Sequence, residues 1–157
     1  MGLDLFDTRL LALVQEDARR STEVLAVEVG LSAAAVQRRL KRLREDGVIA
    51  ATVAVLAPEA VGRPMTFVVE VSMERERADL MDAFKRQIRA TPEVQQCYYV
   101  TGDTDFLLVV TARDMADYEA FTRRAFFGNP NIRRFRTSVV MDRVKVSLSV
   151  PLGDGET

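Results

Sequence analysis

The side chains of this sequence best placed to do chemistry are cations. Between Ser32 and Arg44 lie Arg38, Arg39, Lys41, Arg42 and Arg44, with no acidic residue among them. Cations at helical spacing neutralise phosphates, and polar groups near the start of a helix can reach base edges in a major groove. Ser32 begins the helix, Ala33, Ala34 and Ala35 are small enough to let it approach a groove floor, Gln37 and Arg38 can hydrogen-bond base edges, and Lys41 and Arg42, a turn later, suit phosphates. Arg39 and Arg44 lie nearer the apolar stripe, where a long stem covers core. The competing reading is a solvated face on an ordinary bundle helix.

A second group runs Tyr98, Tyr99, Val100, Thr101, Gly102, Asp103, Thr104, Asp105. Backbone N–H groups around a glycine turn can hold a carboxylate, and Asp103 or Asp105 can hold an ammonium group. Adjacent tyrosines on a strand face opposite ways, so one lines such a pocket and the other joins the core. The alternative is a plain hairpin turn with solvated aspartates. Asp103, Asp105 and a tyrosine could also do acid–base work, but nothing in the sequence supplies a coupled partner.

The 157 residues include no histidine, which removes the commonest general base and the most frequent zinc ligand. Catalysis is therefore disfavoured, and no cofactor or metal is expected. A net charge of −1 is unhelpful for meeting a polyanion, so the location of the cations matters more than their sum. The single cysteine, Cys97, has no internal partner, which fits a reducing compartment, and free cysteine usually packs as a small apolar residue. No apolar stretch reaches the roughly 18 residues of a membrane span, and Met1 to Arg9 lacks a signal-peptide layout. A cytoplasmic protein is expected.

The elements that must position these residues can be read from periodicity. Leu3, Phe6, Leu10, Leu13 and Val14 share one face of a helix from about Asp4 to Asp17. Ser21 caps a short second helix that turns Leu25 and Val29 inward, Gly30 breaks it, and Ser32 caps a third whose buried stripe is Val36, Leu40 and Leu43. Gly47 ends the third helix and lets Val48 fold back on Leu43. Two helices across a glycine turn form a helix-turn-helix, and Val48 to Leu56 reads as a strand, the wing of a winged variant, before a linker at Gly62 and Pro64.

Met65 to Glu74 alternates as a half-buried strand. Leu80, Phe84 and Ile88 mark a helix stopped by Pro92, and Val94 to Val100 and Phe106 to Thr111 are strands. A helix from about Met115 to Ala125 carries Tyr118 and Phe121 inward, and a strand begins near Ile132. Thr91-Pro92-Glu93-Val94 and Asn129-Pro130-Asn131-Ile132 are matching phrases of a twofold repeat. The fold class is α+β: a helix-turn-helix over 1–50, a strand and linker over 51–64, a ferredoxin-like βαββαβ domain over 65–150 and a flexible tail over 151–157. The sheet keeps one face free of helices, which a second subunit can cover if it is apolar. The late alternation of Val144, Val146, Leu148 and Val150 extends or bends the final strand. Thr137 and Ser138, on that strand, are candidates for a second wall of the pocket.

Taken together, these residues resemble the Lrp/AsnC or feast/famine regulators. The resemblance covers nearly the whole chain and rests on Leu3-Asp4 through Asp7, Leu31-Ser32 with Arg39-Leu40 and Leu43, Gly47-Val48-Ile49, and Val100-Thr101-Gly102 followed by Asp105. It implies a regulator of transcription that binds double-stranded DNA, forms a homodimer and larger rings such as octamers, and holds an amino acid or related metabolite near Thr101 to Asp105. The lack of histidine separates the chain from similar proteins that decarboxylate sirohaem. A metabolite-binding enzyme or oligomerisation module without DNA binding is the alternative.

Overall fold

The computed structural model describes residues 2–153, and they divide into two compact units, 2–54 with 145–153 and 55–144. The tail expected over 151–157 lies outside the described residues from position 154 on, and residues 151–153 carry no regular structure.

In the first unit α1 spans Leu5–Glu16, α2 Thr22–Val29 and α3 Ala33–Glu45. Each start is capped from its own sequence. The Asp4 carboxylate accepts the Asp7 N–H at 2.8 Å, and Asp4 N–H reaches back to Asp7 Oδ2, closing a capping box. The Ser21 and Ser32 hydroxyls accept from Val24 N–H and Ala35 N–H. Gly30 has φ 72°, a left-handed turn that costs an L side chain about 1 kcal/mol or more and that sets α2 across α3. Leu10, Leu25, Ala26, Val29, Val36 and Leu40 form the core between the three helices.

The return after α3 differs from the expected cap. Gly47 is left-handed, but Ile49 rather than Val48 donates to the Leu43 carbonyl, so Ile49 packs on the core and Val48 is left exposed. The strand expected over Val48–Leu56 is not formed. Alternation satisfies one face only when a ladder partner exists, and Val53 and Val55 are exposed with none among the described residues. The same holds for Val144 to Val150, which form no strand and are exposed; the amide of Gln15 pairs with both backbone groups of Val150.

The second unit has β1 (Met65–Met73), α4 (Ala78–Arg89), β2 (Val94–Tyr99), β3 (Phe106–Ala112), α5 (Met115–Thr122), a wider π-type turn over Arg123–Phe127, and β4 (Ile132–Val139). The strands are antiparallel in the order β2-β3-β1-β4, the ferredoxin-like arrangement. Phe67, Val69 and Val71 of β1 and Phe106, Leu108 and Val110 of β3 point to the helices and are essentially inaccessible. They meet Met81, Phe84 and Ile88 of α4 and Tyr118 and Phe121 of α5. In α4 Met81 takes the inward position expected for Leu80, which is half-buried one residue earlier on the helix flank. Tyr118 stacks on Phe67 at 3.9 Å between centroids, a contact worth about 1 kcal/mol beyond simple burial. No helix among the described residues is long and apolar enough to cross a membrane.

Candidate nucleic-acid interface and ligand cavity

Helix α3 presents two chemically different sides. Val36, Leu40 and Leu43 are buried against the helical core, while Ser32, Ala34, Gln37, Arg38 and Lys41 are exposed and Ala33 is half-buried. Among the described residues Arg38 has no carboxylate within ion-pair distance, and Lys41 meets only the exposed Glu45 at 3.7 Å. The Gln37, Arg38 and Lys41 side chains are thus free to be used outside the fold.

Arg39 and Arg42 are engaged within the unit. Arg39 donates to Asp4 at 2.6 Å and to Asp7 at 2.8 Å, and its guanidinium lies 5.5 Å from the Phe6 ring centroid. Arg42 donates to the other Asp7 oxygen at 2.5 Å, and its Nε is buried without a partner. The Asp7 N–H and then Arg39 hold the Asp4 carboxyl below its ordinary range, and the same pairing raises Arg39. The structural role expected of Arg39 is what the structure contains. Arg42 differs from expectation, because a guanidinium held by a buried carboxylate is already neutralised on one edge. Arg44, assigned to a core flank, is exposed and lies near the azimuth of Gln37.

The second site lies on the sheet face away from the helices. A cavity of about 340 Å³ is lined by Glu70, Leu107, Arg134 and Arg136 from the sheet and by Val100, Asp103 and Thr104 from the turn. Glu70 sits opposite Leu107 on one side and Arg136 on the other, and Ser72 opposite Arg134, so the strand order brings the four charged groups to one place. None of Glu70, Asp103, Arg134 and Arg136 makes an ion pair among the described residues. The turn itself is tied to β1: Asp105 Oδ2 accepts Met73 N–H at 2.6 Å, Thr104 Oγ1 donates to the Val71 carbonyl and Ser72 Oγ to that of Asp103.

The expected effector residues are thereby sorted. Val100, Asp103 and Thr104 line the cavity, while Thr101 and Gly102 form the exposed tip, with Gly102 at φ 116°. Asp105 faces the end of β1 and spends its carboxylate on a backbone N–H. Neither tyrosine lines this cavity or joins the core: both are exposed, Tyr98 opposite Leu107 on the helix-free side and Tyr99 opposite Phe106, against whose ring it tilts. Thr137 and Ser138 do not line the cavity. Thr137 lies opposite buried Val69 and hydrogen-bonds the hydroxyl of Tyr118, while Ser138 is exposed opposite Val68. Arg134 and Arg136 take the place on β4 expected of Thr137 and Ser138, and with Glu70 they are the cavity-lining residues that sequence reasoning missed. A carboxylate interrupting the apolar run of β1 was the available signal. The helix-free face is mixed rather than apolar, with Val68, Val109, Leu107 and Tyr98 beside these charges. Cys97, expected in the interior, is exposed. No group of three or more potential metal-ligating side chains gathers among the described residues.

The profile of the AsnC-type helix-turn-helix domain matches residues 3–44, and that of the Lrp/AsnC ligand binding domain matches residues 66–150. An uncharacterized HTH-type transcriptional regulator of Sinorhizobium fredii is 58% identical over 152 residues, covering 97% of this chain and 90% of that protein. The leucine-responsive regulatory protein of Haemophilus influenzae is 36% identical over 92% of this chain and 87% of its own length. Among solved structures, a transcriptional regulator of Neisseria meningitidis in complex with L-methionine superposes with a TM-score of 0.91 at 31% identity, covering 97% of this chain and 98% of that one. An AsnC family transcriptional regulator of Agrobacterium tumefaciens gives 0.89 at 33% identity, covering 95% and 97%. With both domains matched in order and a relative more than half identical along almost its whole length, the chain belongs to the Lrp/AsnC family of transcriptional regulators.

Proposed function

We propose that the protein is a sequence-specific DNA-binding regulator of transcription that acts in the cytoplasm and responds to an amino acid. The observation that carries the reading is the outer face of α3, where Ala34, Gln37, Arg38 and Lys41 stand exposed on a helix anchored by Val36, Leu40 and Leu43. Small residues first and cations a turn later match a helix entering a major groove. Gln37 and Arg38 read base edges, Ser32, Ala33 and Ala34 allow close approach, and Lys41 and Arg44 meet phosphates. Arg42 contributes by fixing the helix through Asp7, with its outer edge left for a phosphate.

The cavity at the turn suits a zwitterion. Arg134 and Arg136 offer a carboxylate two cations, Glu70 and Asp103 offer an ammonium group two anions, and Val100 and Leu107 offer a side chain apolar contact. Its volume of about 340 Å³ falls in the range of small-molecule sites. The regulators solved with L-methionine support an amino acid as the class. A second copy closes the helix-free sheet face, giving a homodimer that builds higher oligomers and places two α3 helices about 34 Å apart, or a multiple of it. The reading involves no catalytic step.

The test is fluorescence anisotropy of purified protein with DNA from upstream of its own gene, at rising salt and with each common amino acid. The expected result is a steep loss of affinity with salt and a shift in affinity with at least one amino acid. Binding that ignores salt would overturn the DNA reading.

A further inference from the structure

We propose that the groove between α4 and β2 is a second small-molecule site, which takes a carboxylate with an aryl or branched apolar tail and no ammonium group. It is a cavity of about 460 Å³ on the helix-bearing side of the same unit, whereas the zwitterion cavity lies on the helix-free side. The register shift between Val94 and Gln96 bulges Gln95 out of the ladder at its edge.

Charge defines the ligand. Among the described residues the ionisable side chains in the lining besides Tyr99 and Cys97 are Lys85 and Arg89, with no carboxylate. Arg89 makes no ion pair among the described residues, and Lys85 meets only exposed Asp82, at 3.5 Å. The Lys85 ammonium is held 5.1 Å from the Tyr99 ring centroid, over one wall. Burial pushes the Cys97 thiol above its ordinary value, with Arg89 pulling weakly the other way, so the sulfur is neutral near pH 7 and adds no anion. With Arg89 unpaired among the described residues and Lys85 met only by a carboxylate outside the lining, the two cations favour an anionic head and oppose an ammonium beside it.

The floor defines the tail. Ile88 and Phe106 are 4% and 1% exposed, and Tyr99 tilts against Phe106 with centroids 5.2 Å apart. A flat aryl or branched aliphatic group can rest between Tyr99 and Ile88 while its carboxylate reaches Lys85 and Arg89. Where the first cavity carries the carboxylates of Glu70 and Asp103 to receive an amine, this one offers only the neutral amides of Gln95 and Gln96 beside two cations. The two cavities therefore separate an amino acid from its deaminated counterpart. The inference is independent of DNA binding.

Phenylpyruvate and L-phenylalanine share a tail and differ at the α-carbon, so they form a matched pair of probes. Both are titrated calorimetrically into the full-length protein, and labelling of Cys97, the single thiol of the chain, by N-ethylmaleimide reports on the site. Phenylpyruvate is expected to bind and slow the labelling, and L-phenylalanine to leave the labelling unchanged. Arg89→Gln and Lys85→Gln, both at the protein surface or its margin, are each expected to weaken phenylpyruvate binding about tenfold. Arg136→Gln is expected to leave it unaltered. Absence of binding, binding without protection of Cys97, equal protection by L-phenylalanine, or full affinity in the Arg89→Gln and Lys85→Gln variants would overturn the proposal.

Discussion

The carboxylate of Asp7, 1% exposed at the start of α1, receives Arg42 of α3 at 2.5 Å. Its second oxygen takes Arg39 from the turn before at 2.8 Å, so one aspartate joins two successive turns of α3 to the first helix. The outer side of α3 is oriented by this clamp as much as by Val36 and Leu40. Loss of the charge leaves two guanidinium groups short of a partner. Asp7→Asn is expected to cost about 1–3 kcal/mol in urea denaturation, because a buried charged hydrogen-bonding group is removed. Asp4→Asn, which affects a half-exposed pair, should cost less than about 1 kcal/mol. An Asp7→Asn protein with the wild-type midpoint would show that the clamp contributes nothing.

Arg38 and Lys41 should fail in different ways. Arg38→Ala is expected to lose about 1–3 kcal/mol on the preferred DNA and less on unrelated DNA, as a base-reading group does. Lys41→Ala should weaken both alike and reduce the salt dependence by about one counterion. The check is anisotropy on the two DNAs at several salt concentrations. An equal loss on both DNAs for Arg38→Ala would transfer base reading to Gln37.

Local rules made much of this architecture legible. Asp4, Ser21 and Ser32 are caps by residue type, Gly30 is a left-handed turn by its position, and α1 ends at Glu16 shortly after its apolar period stops at Val14. The strand β1 runs from Met65 to Met73 because its alternation is answered by partners on both sides. Val48 to Leu56 and Val144 to Val150 carry the same alternation without a ladder, and a period of two cannot say whether a partner exists. The ligand cavity was harder for the same reason. Its turn is marked by Gly102, but Glu70, Arg134 and Arg136 meet only through the pairing of β1 with β4. Register also decides faces: a slip of one residue exchanges Thr137 and Ser138, and the bulge at Ser72/Met73 is not written in any local pattern.

The cavity and its supporting turn can be separated by mutation. Arg136→Gln removes a cavity-lining charge that makes no ion pair among the described residues, so the ligand-free melting temperature should be little changed while the shift caused by the responding amino acid disappears. Asp105→Asn instead weakens the bond to Met73 N–H and should lower the ligand-free melting temperature, at a cost of about 1–3 kcal/mol. Thermal denaturation with and without ligand distinguishes the two. An intact ligand shift in Arg136→Gln would move the carboxylate site away from β4.

The acid limb of stability should carry the signature of Asp117. Its carboxylate accepts the Arg113 guanidinium at 2.8 Å and the Arg113 backbone N–H at 3.0 Å, with Arg63 at 3.7 Å. The Arg113 side chain first, then its N–H, hold the group at about 2, below the ordinary 3.8. A carboxyl depressed on folding stabilises the native state at every pH above its unfolded value. That contribution fades as pH falls from 3.8 through about 2, where both states become protonated. Asp4, Asp17 and Asp79 are lowered as well and share the same limb. Asp117→Asn should therefore melt below the wild type near neutral pH, and the two curves should converge as the pH approaches about 2. Curves that stay parallel through this window would mean that Asp117 acts through its place in the first turn of α5 and not through its charge.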